Sequence, residues 1–193
     1  MDSPASRLFA SSSSAARDDP WIASSGAPYL ASSTEAALER SGTARHLAAK
    51  GWKVYTTAPG AESIDDLRAA GCETLALEVT DERPTADAVA AVERAEGAVG
   101  VLVKPPATAR AAAVEEVPLE HVRRQFETNV VGLMRMCQVV LPDMRRQGWR
   151  RIVSLSGKLT FPGGGFYHAT KHAVEGSSDA LRFEVAGFAS ASW

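Results

Sequence analysis

Tyr167 stands four residues before Lys171, in the run Tyr167-His168-Ala169-Thr170-Lys171 that follows a glycine-rich bend. On a helix this spacing places both side chains on one face, one turn apart. A phenol with its ordinary pKa near 10 exchanges protons poorly at neutral pH. An ammonium beside it favours the phenolate and lowers that pKa, which suits the tyrosine to giving up and regaining a proton during a reaction. The same spacing arises by accident in many helices, where the tyrosine packs and the lysine is solvated, so by itself it assigns nothing.

The elements that must position this pair read as alternating segments. Residues 1 to about 30, rich in Ser and Ala with Trp21, Ile22 and Tyr29 scattered among them, show neither helical nor strand periodicity and are expected to be disordered. Thr43 to Gly51 reads as a helix stopped by a C-cap glycine, and Trp52 to Thr57 as a strand. Ser63 is expected to cap a short helix with Asp65 and Asp66 in its first turn, ended by Gly71. Glu73 to Val79 follows as a strand, Thr80-Asp81 opens a helix to about Glu96, and Ala98 to Val103 is a short apolar strand. From Leu119 to about Gln147 the chain reads as mainly helical. Phe126, Val130, Leu133, Met134, Cys137 and Leu141 form its buried stripe at three- and four-residue steps, and Pro142 is expected to break or kink it. A strand from Ile152 and the helix carrying Tyr167 close the series.

Apolar strands alternating with helices predict an α/β fold, a three-layer Rossmann-like sandwich around a doubly wound parallel sheet. Ligands of such sheets bind beyond the carboxyl ends of the strands. The strand ends near Thr57, Val79, Val103 and Ser156 should therefore converge on one crevice, with Tyr167 and Lys171 at its mouth.

Three further stretches make the pattern specific. The run Arg151-Ile152-Val153-Ser154-Leu155-Ser156 precedes the tyrosine, Phe161-Pro162-Gly163-Gly164-Gly165 lies between, and Phe126-Glu127-Thr128-Asn129-Val130-Val131-Gly132 stands upstream. Together they resemble the classical short-chain dehydrogenase/reductase family over about Thr43 to Phe188, most densely from Val114. The resemblance implies an NAD(P)-dependent oxidoreductase that moves a hydride between a nicotinamide and a small-molecule carbonyl or secondary alcohol. It implies that Tyr167 is the catalytic acid–base, that Lys171 lowers its pKa and holds the nicotinamide ribose, and that Asn129 keeps a proton-relay water in place. Glu78 replaces the aspartate that meets the adenine, beside Val79, so Glu78, Val79, Asn129, Tyr167 and Lys171 make up the implied cofactor contacts. The family's catalytic serine ends the strand before the tyrosine. Strand register favours Ser156, the spacing to the tyrosine favours Ser154, and Ser156 is preferred because a strand end faces the crevice. A homo-oligomer is also in keeping with the family.

The chain departs from the family where phosphate would bind. Three glycines in the first strand-to-helix turn let backbone approach a pyrophosphate at a helix N-terminus; here those places hold Thr34, Leu38 and Arg40. Ala58-Pro59 stands where an NADP-preferring relative shows a basic residue, which leaves the choice between NAD and NADP open. Lys104-Pro105-Pro106-Ala107 replaces Asn-Asn-Ala-Gly, with bulk and charge expected beside the adenosine site. The family's two further strands and substrate loop have no counterpart before Trp193, so the sheet should be incomplete at its C-terminal edge.

Clean matches interrupted by short unrelated stretches suggest frame errors. Leu38-Glu39-Arg40 coded CTC GAG CGG reads Ser-Ser-Gly one base later. The run from Lys104 to Ala109, coded AAG CCG CCG GCT ACG GCG, reads Ala-Ala-Gly-Tyr-Gly shifted by two. The tail after Phe188, coded GCA TCG GCG TCG TGG, reads Gly-Ile-Gly-Val-Val one base earlier behind a G. On this hypothesis residues 1–30 are a disordered or non-native leader, 31–188 the Rossmann-like domain and 189–193 a non-native tail, with little activity expected from the chain as written. An intact DNA reading across all three stretches would overturn it. The competing reading is a non-catalytic Rossmann-like remnant that binds no dinucleotide and serves as an interaction module.

Bulk properties narrow the remaining classes. A net charge of −2 with acids and bases interspersed gives no electrostatic footprint for nucleic acid. Cys72 and Cys137 sit in apolar segments without metal-ligand spacing and read as buried thiols, as a reducing cytoplasm would keep them. No run approaches a membrane span. The start has no continuous apolar region of the signal-peptide kind, because Ser11 to Ser14 interrupt it and Asp18-Asp19 follow, so a cytoplasmic location is expected. At 193 residues the chain suits one domain.

Overall fold

The computed structural model describes residues 29–32, 37–104, 112–148, 151–154, 157 and 160–186. Its elements are β1 (Tyr29–Ser32), α1 (Ala37–Ala49), β2 (Val54–Ala58), a 3-10 helix (Ala61–Ala70), β3 (Glu73–Ala76), α2 (Glu82–Glu96) and β4 (Val101–Lys104). A 3-10 turn (Val114–Glu116), α3 (Leu119–Phe126), a π-helical turn (Glu127–Val131), α4 (Gly132–Gln147), β5 (Arg151–Ser154) and α5 (Gly165–Ala186) follow.

All described strand pairs are parallel, in the order β3-β2-β1-β4-β5. The chain first builds outward from β1 through β2 to β3, then returns to add β4 on the other side. This reversal opens a crevice beyond the carboxyl ends of β1 and β4, where a doubly wound sheet takes its ligands.

Strand alternation sorts the core into two halves. Val54 and Val101 pack with Ala44, Ile64 and Leu67 under α1 and the 3-10 helix. Their neighbours Tyr55 and Leu102 join Val89, Val92, Leu133, Met136 and Val140 under α2 and α4, with Val174 of α5. Every residue of β2 is buried, as a strand covered on both faces requires. The fold is the expected α/β sandwich, with β5 an edge among the described strands.

Several boundaries differ from the sequence reading. Tyr29 and Leu30, assigned to the disordered leader, are the first half of the central strand and pair with Val54 and Tyr55 of β2. Four residues give too short a pattern to announce a strand. The first helix starts at Ala37 instead of Thr43 and ends where Gly51 takes φ 85°. Ser63 does not cap a helix. Gly60 occupies that place, and Ser63 Oγ donates to the Gly60 carbonyl at 2.7 Å, in a segment wound as 3-10 helix. Gly71 ends it with φ 86°, and Asp81 caps α2 by accepting from the Arg83 N–H at 3.1 Å, both as expected.

Pro142 does not end α4, which runs through it to Gln147. Pro142 and Gln138 are both exposed, so the carbonyl that the proline leaves without an N–H partner can meet water. In the expected stripe Leu133 and Cys137 are buried and the others partly so, while Met136, Val140 and Met144 complete it. Cys72 and Cys137 are buried free thiols; burial raises both, Cys137 to about 12. Among the described residues, no helix is long and apolar enough to cross a membrane.

Candidate active site

Two glycines set up the start of α5. Gly163 takes φ 83°, a conformation that side chains strain. Gly164 is crowded, since an added Cβ would lie 2.7 Å from His168 Nε2. From this bend α5 carries Tyr167 and Lys171 on successive turns. Lys171 is only 8% exposed, and its Nζ lies 5.3 Å from the centroid of the Tyr167 ring. Burial pushes the Lys171 pKa below the ordinary lysine value.

Thr170, fully buried between them, ties this helix to the one before it. Its Oγ1 donates to the Tyr167 carbonyl at 2.7 Å and accepts from Asn129 Nδ2 at 3.2 Å. Asn129 sits in the π-helical turn, a local widening that recurs at functional sites. Its amide therefore reaches across to α5 instead of satisfying its own helix. Neither the π turn nor Thr170 was legible in the sequence. Thr170 is only three positions from Tyr167, but the residue it meets is forty-one positions away.

Gly132, one turn beyond Asn129, lets the start of α4 press onto the segment after β3. An added Cβ there would lie 3.0 Å from Val79 Cγ2 and 3.1 Å from the Val79 carbonyl oxygen. Arg135 fastens the same junction, donating to the Val79 carbonyl at 2.5 Å and pairing with Glu127 at 3.1 Å. Glu78, half-buried, accepts from the Thr80 N–H at 3.1 Å and hydroxyl at 2.9 Å. Glu78 is thus ordered by a local contact and Val79 by the start of α4, while Thr170 joins Asn129 to the Tyr167 carbonyl and Lys171 lies against the Tyr167 ring.

At the end of β4, Lys104 stands in register with Ser154 of β5. Beyond β5 the chain passes α5, where a Cβ added to Gly157 would touch Lys171 Cβ at 3.9 Å. Ser154 is half-buried in the strand; Ser156 lies outside the described residues. Lys104 is 6% exposed, and its Nζ has no hydrogen-bond partner among the described residues. Burial, reinforced by repulsion from Lys171, lowers its pKa to about 8. Its charge is therefore felt at the Tyr167–Lys171 end of the crevice.

Tyr167 and Lys171 bring a phenol and an ammonium to this cluster, groups that can hydrogen-bond the hydroxyls of a ribose. At the phosphate end, Leu38 and Arg40 lie in the first turn of α1, while Thr34 and Pro105 to Ala107 lie outside the described residues.

The chain matches the short chain dehydrogenase family model over residues 41–188. An uncharacterised oxidoreductase of Bacillus subtilis, YusZ, is 39% identical over 136 residues, covering 66% of this chain and 48% of its own. A 3-ketodihydrosphingosine reductase of Bacteroides thetaiotaomicron is 35% identical over 150 residues, 76% of this chain and 54% of its own. The chain thus spans about half the length of these curated relatives. A crystal structure of a short-chain dehydrogenase from Streptomyces avermitilis superposes with a TM-score of 0.75 at 34% identity, over 84% of this chain and 63% of the other. The fold is shared too with an NAD+-bound xylitol dehydrogenase, at TM-score 0.77 and 22% identity over 85% and 66% of the two chains. By sequence, strand order and fold, this chain belongs to the short-chain dehydrogenase family.

Proposed function

We propose that the chain represents an NAD(P)-dependent oxidoreductase acting on a small-molecule carbonyl or secondary alcohol in the cytoplasm. The observation that carries this reading is the cluster in which Asn129, through Thr170, is tied to the Tyr167–Lys171 turn. A bound nicotinamide supplies the hydride. Tyr167 Oη gives its proton to the carbonyl oxygen as the substrate carbon is reduced, and takes it back in the reverse direction. The Lys171 ammonium favours the phenolate left behind and donates to the ribose. Ser156, or Ser154 in its place, donates to the substrate oxygen, and Asn129 orients a water that returns a proton. Glu78 and Val79 face the adenine side, where the family uses these positions.

A second reading, a remnant that binds no dinucleotide and acts as an interaction module, draws on Leu38 and Arg40 at places the family gives to glycine. Titration with NADH or NADPH separates the two. Saturable enhancement of nicotinamide fluorescence supports the oxidoreductase; silence to millimolar cofactor supports the remnant.

Lys171→Met should lower reductase activity and move the alkaline limb of the kcat/KM profile upward. Without the ammonium, the Tyr167 phenol keeps its proton to higher pH. An unchanged profile would assign the ionisation to another group.

A further inference from the structure

We infer that Arg135 is a positioning residue that ties the two ends of the crevice together. It holds the π-helical turn carrying Asn129 to the segment after β3 that carries Glu78 and Val79. The inference rests on the oxidoreductase reading, which gives Asn129 to the reactive end and Val79 to the adenine side.

The ion pair made by Arg135 fits the π turn and no regular helix. Glu127 begins the turn, and Arg135 lies in the first turn of α4, eight positions on. In an uninterrupted α-helix an eight-residue step carries a side chain about 80° around the axis, off its partner's face. A π turn takes one residue more than an α turn, so the same step ends roughly 20° off line. Arg135 Nη2 accordingly meets Glu127 Oε1 at 3.1 Å, and the Gly132 N–H donates to the Glu127 carbonyl five positions back. Returning the turn to α geometry would rotate one flank of the helix against the other by about 100° and part Arg135 from Glu127.

The other nitrogen of the fork reaches a second element. Nη1 donates to the Val79 carbonyl at 2.5 Å, beside the point where Gly132 lets the helix press on Val79. Side-chain exposure is 41% for Glu127 and 20% for Arg135, so the ion pair alone is weak and the charge-assisted bond to Val79 carries more of the hold. Asn129, buried within the π turn, then meets Thr170 Oγ1 at 3.2 Å. One guanidinium thus links the exit of β3 to the π turn and, through Asn129 and Thr170, to the Tyr167 carbonyl. A planar fork can serve two acceptors in this way, where a lysine offers one compact ammonium.

Nuclear magnetic resonance of the 193-residue chain, parent against Arg135→Met, tests this without nicotinamide. Deuterium exchange of the Gly132 amide should be at least about tenfold faster in the variant, the usual worth of a lost hydrogen bond to a charged group. Exchange at Val92, a core residue outside these contacts, is the reference. The Asn129 side-chain amide signals should move toward the positions they take in Thr170→Val. Arg135→Lys, a milder change, should show part of both effects. Equal acceleration at Gly132 and Val92, unmoved Asn129 signals, or parent-like behaviour with lysine would overturn the inference.

Titrating the same proteins with NADH separates this inference from the reading it rests on. If the parent binds NADH, Arg135→Met should weaken that binding several-fold by loosening Val79, and an unchanged Kd would make Arg135 a support of the fold alone. A parent that ignores NADH while its variant loosens as described removes the oxidoreductase reading and keeps the tie. NADH binding with unmoved Asn129 signals removes the tie and keeps the reading.

Discussion

Tyr167→Phe should cost reductase activity about a hundred- to ten-thousandfold in kcat, the usual worth of a positioned acid–base group. Phenylalanine keeps the ring, its contact with Lys171 and its edge-on packing against His168, whose ring centroid is 5.7 Å away. It removes only the hydroxyl that would carry the proton. NADH affinity should fall far less than turnover, because the ammonium and the Asn129–Thr170 link remain. The check is steady-state turnover beside an NADH titration on the same preparation. Activity within a few-fold of the parent would make the tyrosine a packing residue and move the chemistry elsewhere.

Lys104→Met should make the protein more stable at pH 7, by roughly 3 kcal/mol from the displacement of the Lys104 pKa from 10.5 to about 8. The sign follows from which state holds the proton. Between pH 8 and 10.5 the unfolded chain keeps the Lys104 proton and the folded chain releases it, so folding becomes more favourable as pH rises. The cost of the buried ammonium is thus fully present below about pH 8 and gone above about 10.5. Methionine fills similar space without a charge to desolvate. Urea unfolding at pH 7 and pH 10 should show the variant ahead at the lower pH and the gap mostly closed at the higher. Equal midpoints at pH 7, or a gap that ignores pH, would mean that the ammonium reaches water.

The helices and strands whose chemistry is written locally were legible in the chain. Asp81 before α2 and Gly71 after the 3-10 helix act on backbone groups within four residues, so the sequence alone announces them. Strand β1 was not announced, since four residues of mixed character become a central strand only by pairing with β2 and β4. Ser63 shows the converse. Its hydroxyl satisfies the Gly60 carbonyl, an acceptor rather than a helix N–H, and only the backbone path distinguishes the two.

For the site, the sequence by itself determined that Tyr167 and Lys171 share a helix face, because a four-residue step on a 3.6-residue turn leaves no alternative. It also determined the parallel α/β fold, because apolar strands alternating with helices bury both faces of a sheet in one way. Only the tertiary structure decided that Asn129 meets Thr170, that Gly132 presses on Val79, and that Lys104 is buried at the end of β4. Each of these joins elements distant in sequence, and their meeting depends on the order in which β4 and β5 are laid beside β1. Burial then sets the electrostatics: the same lysine side chain is an ordinary cation at an exposed strand end and an unpaired, weakened base at a covered one.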